Sequence, residues 1–225
     1  MRRVVVLRPE PGASATGQRA RERGLDPIVL PLFEVEPVAW QGPDPHGFDG
    51  LLLTSANAVR MGGDQLKALR GLPVHAVGEA TAKAAREAGF DIASTGNAGI
   101  DRLLGSIGPN LKLLHLCGEH RRMPQVARQT IEPIPVYRSN ERRGVDVRQA
   151  KNSVVLVHSP RAGMRFAALV DQAGCERNSI AIAAISDAAA ETTGEGWAQI
   201  EVAEAASEDA LLALAARLCN KPDPQ

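Results

Sequence analysis

Apolar positions along this chain fall into short unbroken runs, separated by longer segments in which apolar residues recur every three or four positions. Such runs predict strands buried on both faces, and the segments between them predict the helices that cover those strands. One pattern occurs twice. An apolar run ending in a small hydroxyl residue opens a helix at 51–60 (LLLTSANAVR) and again at 154–164 (VVLVHSPRAGM). Downstream of each copy a second apolar run ends in a small turn, VHAVGEATAKAA from Val74 and IAIAAISDAAAE from Ile180. Each half then closes on a helical pattern, IDRLL from Ile100 and EDALL from Glu208. The copies lie roughly a hundred residues apart throughout, which predicts two similar α/β halves. Each half is expected to present strand ends and helix starts toward a shared cleft, an arrangement that suits a large anionic ligand.

From the N-terminus, residues 2–7 read as a buried strand, followed by a turn at 8–12 and a helix to residue 23 with Ser14 as its N-cap and Gly24 as its stop. Residues 27–32 form a second buried strand. The stretch 32–38 (LFEVEPV) alternates apolar and acidic residues, as an exposed two-faced strand does. Pro and Gly crowd 40–47 and mark a boundary. The first copy then predicts strand 48–53, helix 55–70, strand 73–77, helix 79–88, a short strand near Ile92, helix 99–107 and strand 111–116. Residues 131–137 (IEPIPVY) are extended, and pairing with 32–38 makes them half of a two-stranded bridge. The second copy predicts strand 153–158, helix 161–173, strand 180–184, helix 187–194, strand 198–202 and helix 207–219, with a frayed polar tail at 220–225. One α/β domain is therefore discontinuous, 1–34 with 139–225. The other is inserted at 39–133, and 35–38 with 134–138 are linker strands. Two thin crossings make relative domain motion the default expectation.

Composition changes this picture only by exclusion. With 225 residues, 44% of them apolar, the chain can bury a substantial core. A formal net charge of zero excludes wholesale electrostatic attraction to nucleic acid or to an anionic membrane, so polyanion binding has to be site-specific. Cys117, Cys175 and Cys219 are odd in number and lack CxxC spacing, which fits reduced packing thiols better than a disulfide framework or a zinc site. No apolar stretch is long enough to span a bilayer, and RRVVVLRP starts a strand without the apolar region of a signal peptide, so a cytoplasmic location is expected.

Familiar catalytic signatures are absent: no GxSxG elbow, no Walker A loop, no HExxH and no GxGxxG after the first strand. His46, His75, His115, His120 and His158 are scattered, none with a second ligand at metal spacing, and each reads as a structural histidine. What remains is a set of small polar groups at strand-to-helix turns: Thr54, Ser55 and Asn57; Gly78, Glu79 and Thr81; Gly118 and Glu119; Ser159 and Arg161; and Ser186. Helix capping alone accounts for Ser55, Ser159 and Ser186. Together, however, these positions gather N–H groups and helix starts on one sheet edge, where carboxylates or phosphates can be held without a net positive chain. Arg8 follows the first strand and reaches the same edge, unless it is a solvated turn charge. Tyr137, the single tyrosine, ends the bridge strand, where a phenol can donate a hydrogen bond or pack as part of the linker.

These segments resemble a known family. RPEPGASATGQRARERGLDPIVLPLFEVEPV, LLLTSANAVR, VHAVGEATAKAAREAGF, LLHLCGEHRR, the VYR at 136–138 and VHSPRAGMRFAAL are similar, in order and over essentially the whole chain, to uroporphyrinogen-III synthases. The resemblance implies a monomer of two flavodoxin-like parallel-sheet domains joined by a two-stranded linker, and no cofactor. It implies hydroxymethylbilane, a linear tetrapyrrole with eight carboxylates, as substrate. The reaction it implies is cyclisation to uroporphyrinogen III with loss of water and inversion of ring D through a spiro intermediate, with transient contacts to neighbouring pathway enzymes left open. By the same resemblance Tyr137 is the catalytic residue. Arg8, Thr54, Ser55, Gly78, Thr81, Gly118, Ser159, Arg161 and Ser186 are then substrate-binding residues. The chain departs from the family at ISDAAAE from Ile185, where relatives carry a Ser/Thr-Thr pair and only Ser186 remains. A non-catalytic two-lobed anion-binding module is the alternative. A flavodoxin-like electron carrier fits less well, because aromatic residues to flank a flavin are scarce.

Overall fold

The computed structural model describes residues 2–96, 99–121 and 123–220, so the tail expected to fray lies, beyond residue 220, outside the described residues. The chain runs β1 (Arg3–Val6), α1 (Gly12–Glu22), β2 (Pro27–Val29), β3 (Phe33–Pro37), β4 (Gly50–Leu53), α2 (Ala56–Met61), β5 (Val74–Val77), α3 (Glu79–Glu87), β6 (Ile92–Gly96), α4 (Ile100–Ser106), β7 (Lys112–Gly118) and β8 (Thr130–Glu141). It continues with β9 (Ser153–Val157), α5 (Pro160–Gln172), β10 (Ala181–Ala184), α6 (Asp187–Glu191), β11 (Gln199–Val202) and α7 (Glu208–Asn220). It divides into two compact units, residues 1–34 with 141–225, and residues 35–140.

In the first unit the strand order is β2-β1-β9-β10-β11, with every neighbouring pair parallel. The unbroken apolar runs are explained by burial on both faces. Val5, Leu7, Val155 and Val157 pack with the α5 side, where Phe166 stacks on Trp197 at 5.6 Å. Val4, Val6, Val154 and Leu156 pack with α1 and α7. Counted within the unit, the order is 2-1-3-4-5. The direction of winding therefore reverses between β1 and β9, and in sheets of this kind ligands bind beyond the carboxyl ends of the strands at that reversal.

The second unit holds a six-stranded sheet in the order β3-β8-β7-β4-β5-β6. From β8 to β6 every pair is parallel. Counted from β4, those five strands run 3-2-1-4-5, so the reversal falls between β4 and β7. Leu51, Leu53, Leu114 and Leu116 pack with α2 and α3, while Leu52 and Leu113 meet Ile100, Leu103 and Leu104 of α4 on the opposite face. The residues expected to form only a bridge do more than that. β8 pairs with β7 from Lys112 to Gly118 and has β3 as its other neighbour, so it is a sheet strand in its own right.

Two local expectations differ from the observed chain. The helix expected over 55–70 stops at Met61, because Gly63 takes φ +66° and a tight 3-10 turn follows at Asp64–Leu69. Gly62 is pinned there as well, since a Cβ would sit 2.7 Å from Leu66 Cγ and 2.8 Å from the Ala58 carbonyl oxygen. At the N-terminus, α1 begins at Gly12 rather than at a Ser14 cap. The Glu10 carboxylate does the capping instead, accepting from the Ser14 N–H at 3.0 Å and from the Ser14 hydroxyl at 2.8 Å.

Candidate functional site

In the second unit, a set of polar groups gathers at the ends of β4 and β7, at the winding reversal. Thr54 directly follows β4, and its Oγ1 lies 3.0 Å from Nε2 of His115 on β7, a bond that spans the reversal. Ser55 caps α2, its Oγ accepting from the Asn57 N–H at 3.2 Å. Beside β7, Tyr137 of β8 lies over Gly118. The register between the two strands shifts at Cys117/Gly118, which pairs Gly118 with Tyr137, and the Tyr137 carbonyl accepts from the Glu119 N–H at 3.0 Å. A Cβ on Gly118 would lie 2.8 Å from both Cε2 and Cζ of the phenol ring and 3.1 Å from its hydroxyl. Only glycine leaves room for the ring in this position.

The protonation states follow from burial. His115 is 1% exposed, and burial, assisted by the Arg121 guanidinium, lowers its pKa from 6.5 to about 4, so the ring is neutral at neutral pH. Burial raises the Tyr137 pKa above 10, with the neighbouring Cys117 adding to the rise and the Ser55 hydroxyl partly opposing it. Tyr137 is therefore a phenol with its proton in place, not a phenolate. Burial raises the Cys117 pKa too, against the pull of Arg121, which leaves a thiol poorly suited to nucleophilic work. His75 is distinct from this group: its Nδ1 pairs with Ser94 Oγ at 2.8 Å, and burial lowers its pKa, as for an ordinary structural histidine.

Gly78 and Thr81 sit at the end of the adjacent strand and play other parts. Gly78 takes φ +83° to turn β5 into α3, its own N–H is bonded to the Gly96 carbonyl at 2.7 Å, and its carbonyl accepts from the N–H groups of Thr81 and Ala82. Its amide is thus engaged inside the unit rather than offered outward. Thr81 is 5% exposed in the first turn of α3. Both shape the turn.

The first unit has its own rim at β1 and β9. Arg8 follows β1, donating to Glu208 Oε2 at 2.9 Å and to Thr16 Oγ1 at 3.4 Å. Thr16 donates to the other Glu208 oxygen at 2.5 Å, and His158 Nε2 stands 3.3 Å from Oε2 without the alignment of a hydrogen bond. Burial alone would raise the pKa of Glu208, but His158, Thr16 and Arg8 overcome that and hold it down at about 2. The cation of Arg8 is therefore balanced within the unit. Ser159 caps α5, accepting from the Ala162 N–H at 3.3 Å, and Ser186 caps α6 through the Ala189 N–H at 3.3 Å. The Arg161 guanidinium lies over the Phe33 ring, 4.3 Å from its centroid.

With this geometry in place, likeness to known proteins decides the family. Residues 14–213 match the family model described as uroporphyrinogen-III synthase HemD. The chain belongs to the uroporphyrinogen-III synthase family. This is a family of lyases of tetrapyrrole biosynthesis. Over 101 residues the chain is 34% identical to a uroporphyrinogen-III synthase of Chlorobaculum parvum, a match covering 41% of each chain, so it spans less than half the length of that relative. Two solved structures are similar in fold. Uroporphyrinogen-III synthetase from Helicobacter pylori has TM-score 0.61 at 19% identity, and a mutant uroporphyrinogen III synthase from Thermus thermophilus has TM-score 0.54 at 17% identity. Each covers 97% of this chain and 100% of its own. No described helix is long and apolar enough to cross a membrane.

Within this member of the uroporphyrinogen-III synthase family, the second unit brings together Thr54, Ser55, Gly118 and Tyr137. Sequence reasoning missed His115, Arg121, Thr16, His158 and Glu208 as members of the two rims. A histidine inside the apolar run LLHLC was the available signal for His115. Glu208 gave none beyond its helical pattern, since its partners lie about two hundred residues earlier or fifty before it in sequence.

Proposed function

We propose that this protein converts hydroxymethylbilane to uroporphyrinogen III, losing water and inverting ring D through a spiro intermediate. Family membership supports the substrate, and the observation that carries the chemistry is the Tyr137 phenol, seated on Gly118, kept protonated by burial and facing Ser55. Ser55 accepts from the Asn57 N–H and so keeps its own proton for donation. Donation to the phenol oxygen leaves the Tyr137 O–H directed at substrate, where it assists departure of the terminal hydroxyl as water. Loss of that hydroxyl gives an azafulvenium-like cation, and attack from the substituted carbon of ring D forms the spiro centre. Fragmentation and reclosure then invert the ring. The acidic arms of the substrate accept hydrogen bonds from Thr54 and from neighbouring rim donors. Because the unassisted chain closes to the unrearranged isomer, the protein's contribution is chiefly to hold one bent conformation. The reading calls on no cofactor and no second subunit.

The test is incubation of purified protein with hydroxymethylbilane, with the type I and type III isomers resolved by chromatography. Type III product is expected. Type I alone would refute the proposal and leave an anion-binding module in its place. Tyr137→Phe is expected to lower kcat by about a hundredfold, within the range for loss of a positioned proton donor, with product affinity little changed. Unchanged kcat removes Tyr137 from the chemistry.

A further inference from the structure

Arg8 stands just past the carboxyl end of β1, the strand beside β9 where the winding of the first sheet reverses. Its guanidinium is held at one corner only. Nη1 donates to Glu208 Oε2 at 2.9 Å and to Thr16 Oγ1 at 3.4 Å, which engages both of its protons. Nε and Nη2 bond to none of the described residues and are not sealed from solvent. These two nitrogens form the side-on edge of the group, whose parallel N–H bonds match the two oxygens of one carboxylate. A carboxylate can take that edge without displacing Glu208.

The same surroundings keep the edge aimed and uncovered. The Glu208 side chain is 16% exposed, and its Oε1 accepts from Thr16 at 2.5 Å while Oε2 accepts from Arg8, so the carboxylate cannot turn without losing a bond. Gly12 supplies the room. A Cβ there would lie 2.7 Å from Nε, 3.1 Å from Cζ and 3.2 Å from Nη2, against the edge that Glu208 and Thr16 leave open. Gly12 does not take a positive φ, so the backbone does not call for glycine at this point. We propose that Glu208 is a positioning residue: by clamping Nη1 it sets the Nε–Nη2 edge of Arg8 as a two-pronged donor to one carboxylate of the substrate. The pair is neutral as a whole, so the edge acts as a directed donor and not as a loose cation. This inference rests on the cyclisation reading for its substrate.

Two measurements test it. On the full chain without substrate, nitrogen-15 NMR of the arginine side chains, with Arg8 assigned by its loss in Arg8→Lys, should resolve Nη1 from Nη2, because a clamped guanidinium rotates slowly. In Glu208→Gln the two signals should average. In kinetics with hydroxymethylbilane, Glu208→Gln should raise KM roughly tenfold, as expected when a charge-assisted contact is misaimed, with little change in kcat. Arg8→Lys keeps the charge without the fork and should do the same, and Glu208→Gln should add little in that background. Gly12→Ala leaves Glu208 in place and puts a better helix former at the start of α1, yet should also raise KM because its methyl crowds the edge. Circular-dichroism melts confirm that the variants compared are folded. Averaged Nη signals in the wild type, a Glu208→Gln penalty undiminished in Arg8→Lys, or an unchanged KM in Gly12→Ala overturns the proposal while the wild type still makes type III isomer. A wild type that makes no type III isomer overturns the functional reading and the recognition half of the proposal together.

Discussion

Gly118→Ala puts the geometry of the second unit to a direct test. The added methyl would lie 2.8 Å from Cε2 and Cζ of Tyr137, and ordinary contact begins near 3.4 Å, so the ring has to retreat by about 0.6 Å. Backbone strain is not the issue, because Gly118 does not take a positive φ. Nor can the strand give way easily, since the β7–β8 register and the Glu119-to-Tyr137 backbone bond fix both chains at this point. The phenol therefore swings away from Ser55. A misplacement of about 1 Å at a reacting group costs on the order of a hundredfold in rate, so a shift of half that size is expected to lower kcat about tenfold. Overpacking should cost about 1–2 kcal/mol of stability, leaving the variant folded at assay temperature. The assay is steady-state turnover of hydroxymethylbilane with the isomers resolved, in which the type I share should rise as unassisted closure competes. In a Tyr137→Phe background the same substitution should add little, because the displaced hydroxyl is already gone. Wild-type kcat and isomer ratio in Gly118→Ala, or a full tenfold loss added to Tyr137→Phe, would show that the seat under the ring has no bearing on the reaction.

Glu208→Gln should weaken the first unit at neutral pH and matter less in acid. The folded carboxyl titrates at about 2 against an ordinary 4.5, so its contribution is complete above 4.5 and is lost as pH falls toward 2. The shift corresponds to about 3 kcal/mol, reduced to about 2 by solvent around the partly exposed Arg8, and urea titrations at pH 7 and pH 3 should show the gap between variant and wild type closing. His115 also favours the folded state less as pH drops from 6.5 toward about 4, but it is common to both proteins, so a gap independent of pH would sink the assignment to Glu208. Gly163→Ala places a methyl 2.6 Å from Thr192 Oγ1 and 2.9 Å from the Ala189 carbonyl oxygen, where α5 crosses α6, and should destabilise by about 1–3 kcal/mol in the same titration. An unchanged midpoint there would mean that α6 yields without cost.

Much of this architecture is written in the order of apolar runs. LLL at 51–53, VVLV at 154–157 and IAIAA at 180–184 are buried on both faces, as uninterrupted runs demand. Periodicity did not carry the break at Gly62–Gly63, where a glycine pair inside an apolar pattern reads equally as helix or stop until Leu66 is seen pressed against it. Strand order was also beyond its reach: a repeated α/β pattern is compatible with 2-1-3-4-5 and with 3-2-1-4-5, and one unit takes each. At the candidate site, the small residues after the strands were legible because turn and cap chemistry is local. The roles of Thr54 and Arg8 were not. Thr54 depends on a histidine sixty-one positions away, and Arg8 on a glutamate two hundred away, and single-chain spacing holds no trace of either pairing.

A chain with no net charge that is proposed to hold a polyacid has to do so with directed neutral donors. Arg8, the cation that the sequence points to first, is balanced by Glu208, which is itself kept ionised by three neighbours. The hydroxyls of Ser55, Ser159 and Ser186 each accept from a backbone N–H of the helix that follows, which leaves each its one proton; that of Ser55 is directed to Tyr137, and those of Ser159 and Ser186 are left to give away. Helix capping and ligand recognition, which look like rival explanations of the same serine, are then compatible: the cap occupies one lone pair of the hydroxyl oxygen and does not use its proton. Neutral donors hold a carboxylate less tightly than a desolvated ion pair does. In the proposed reaction the product carries the same acidic arms as the substrate, and under that proposal the weaker grip lets a bent substrate be held and a closed ring be released.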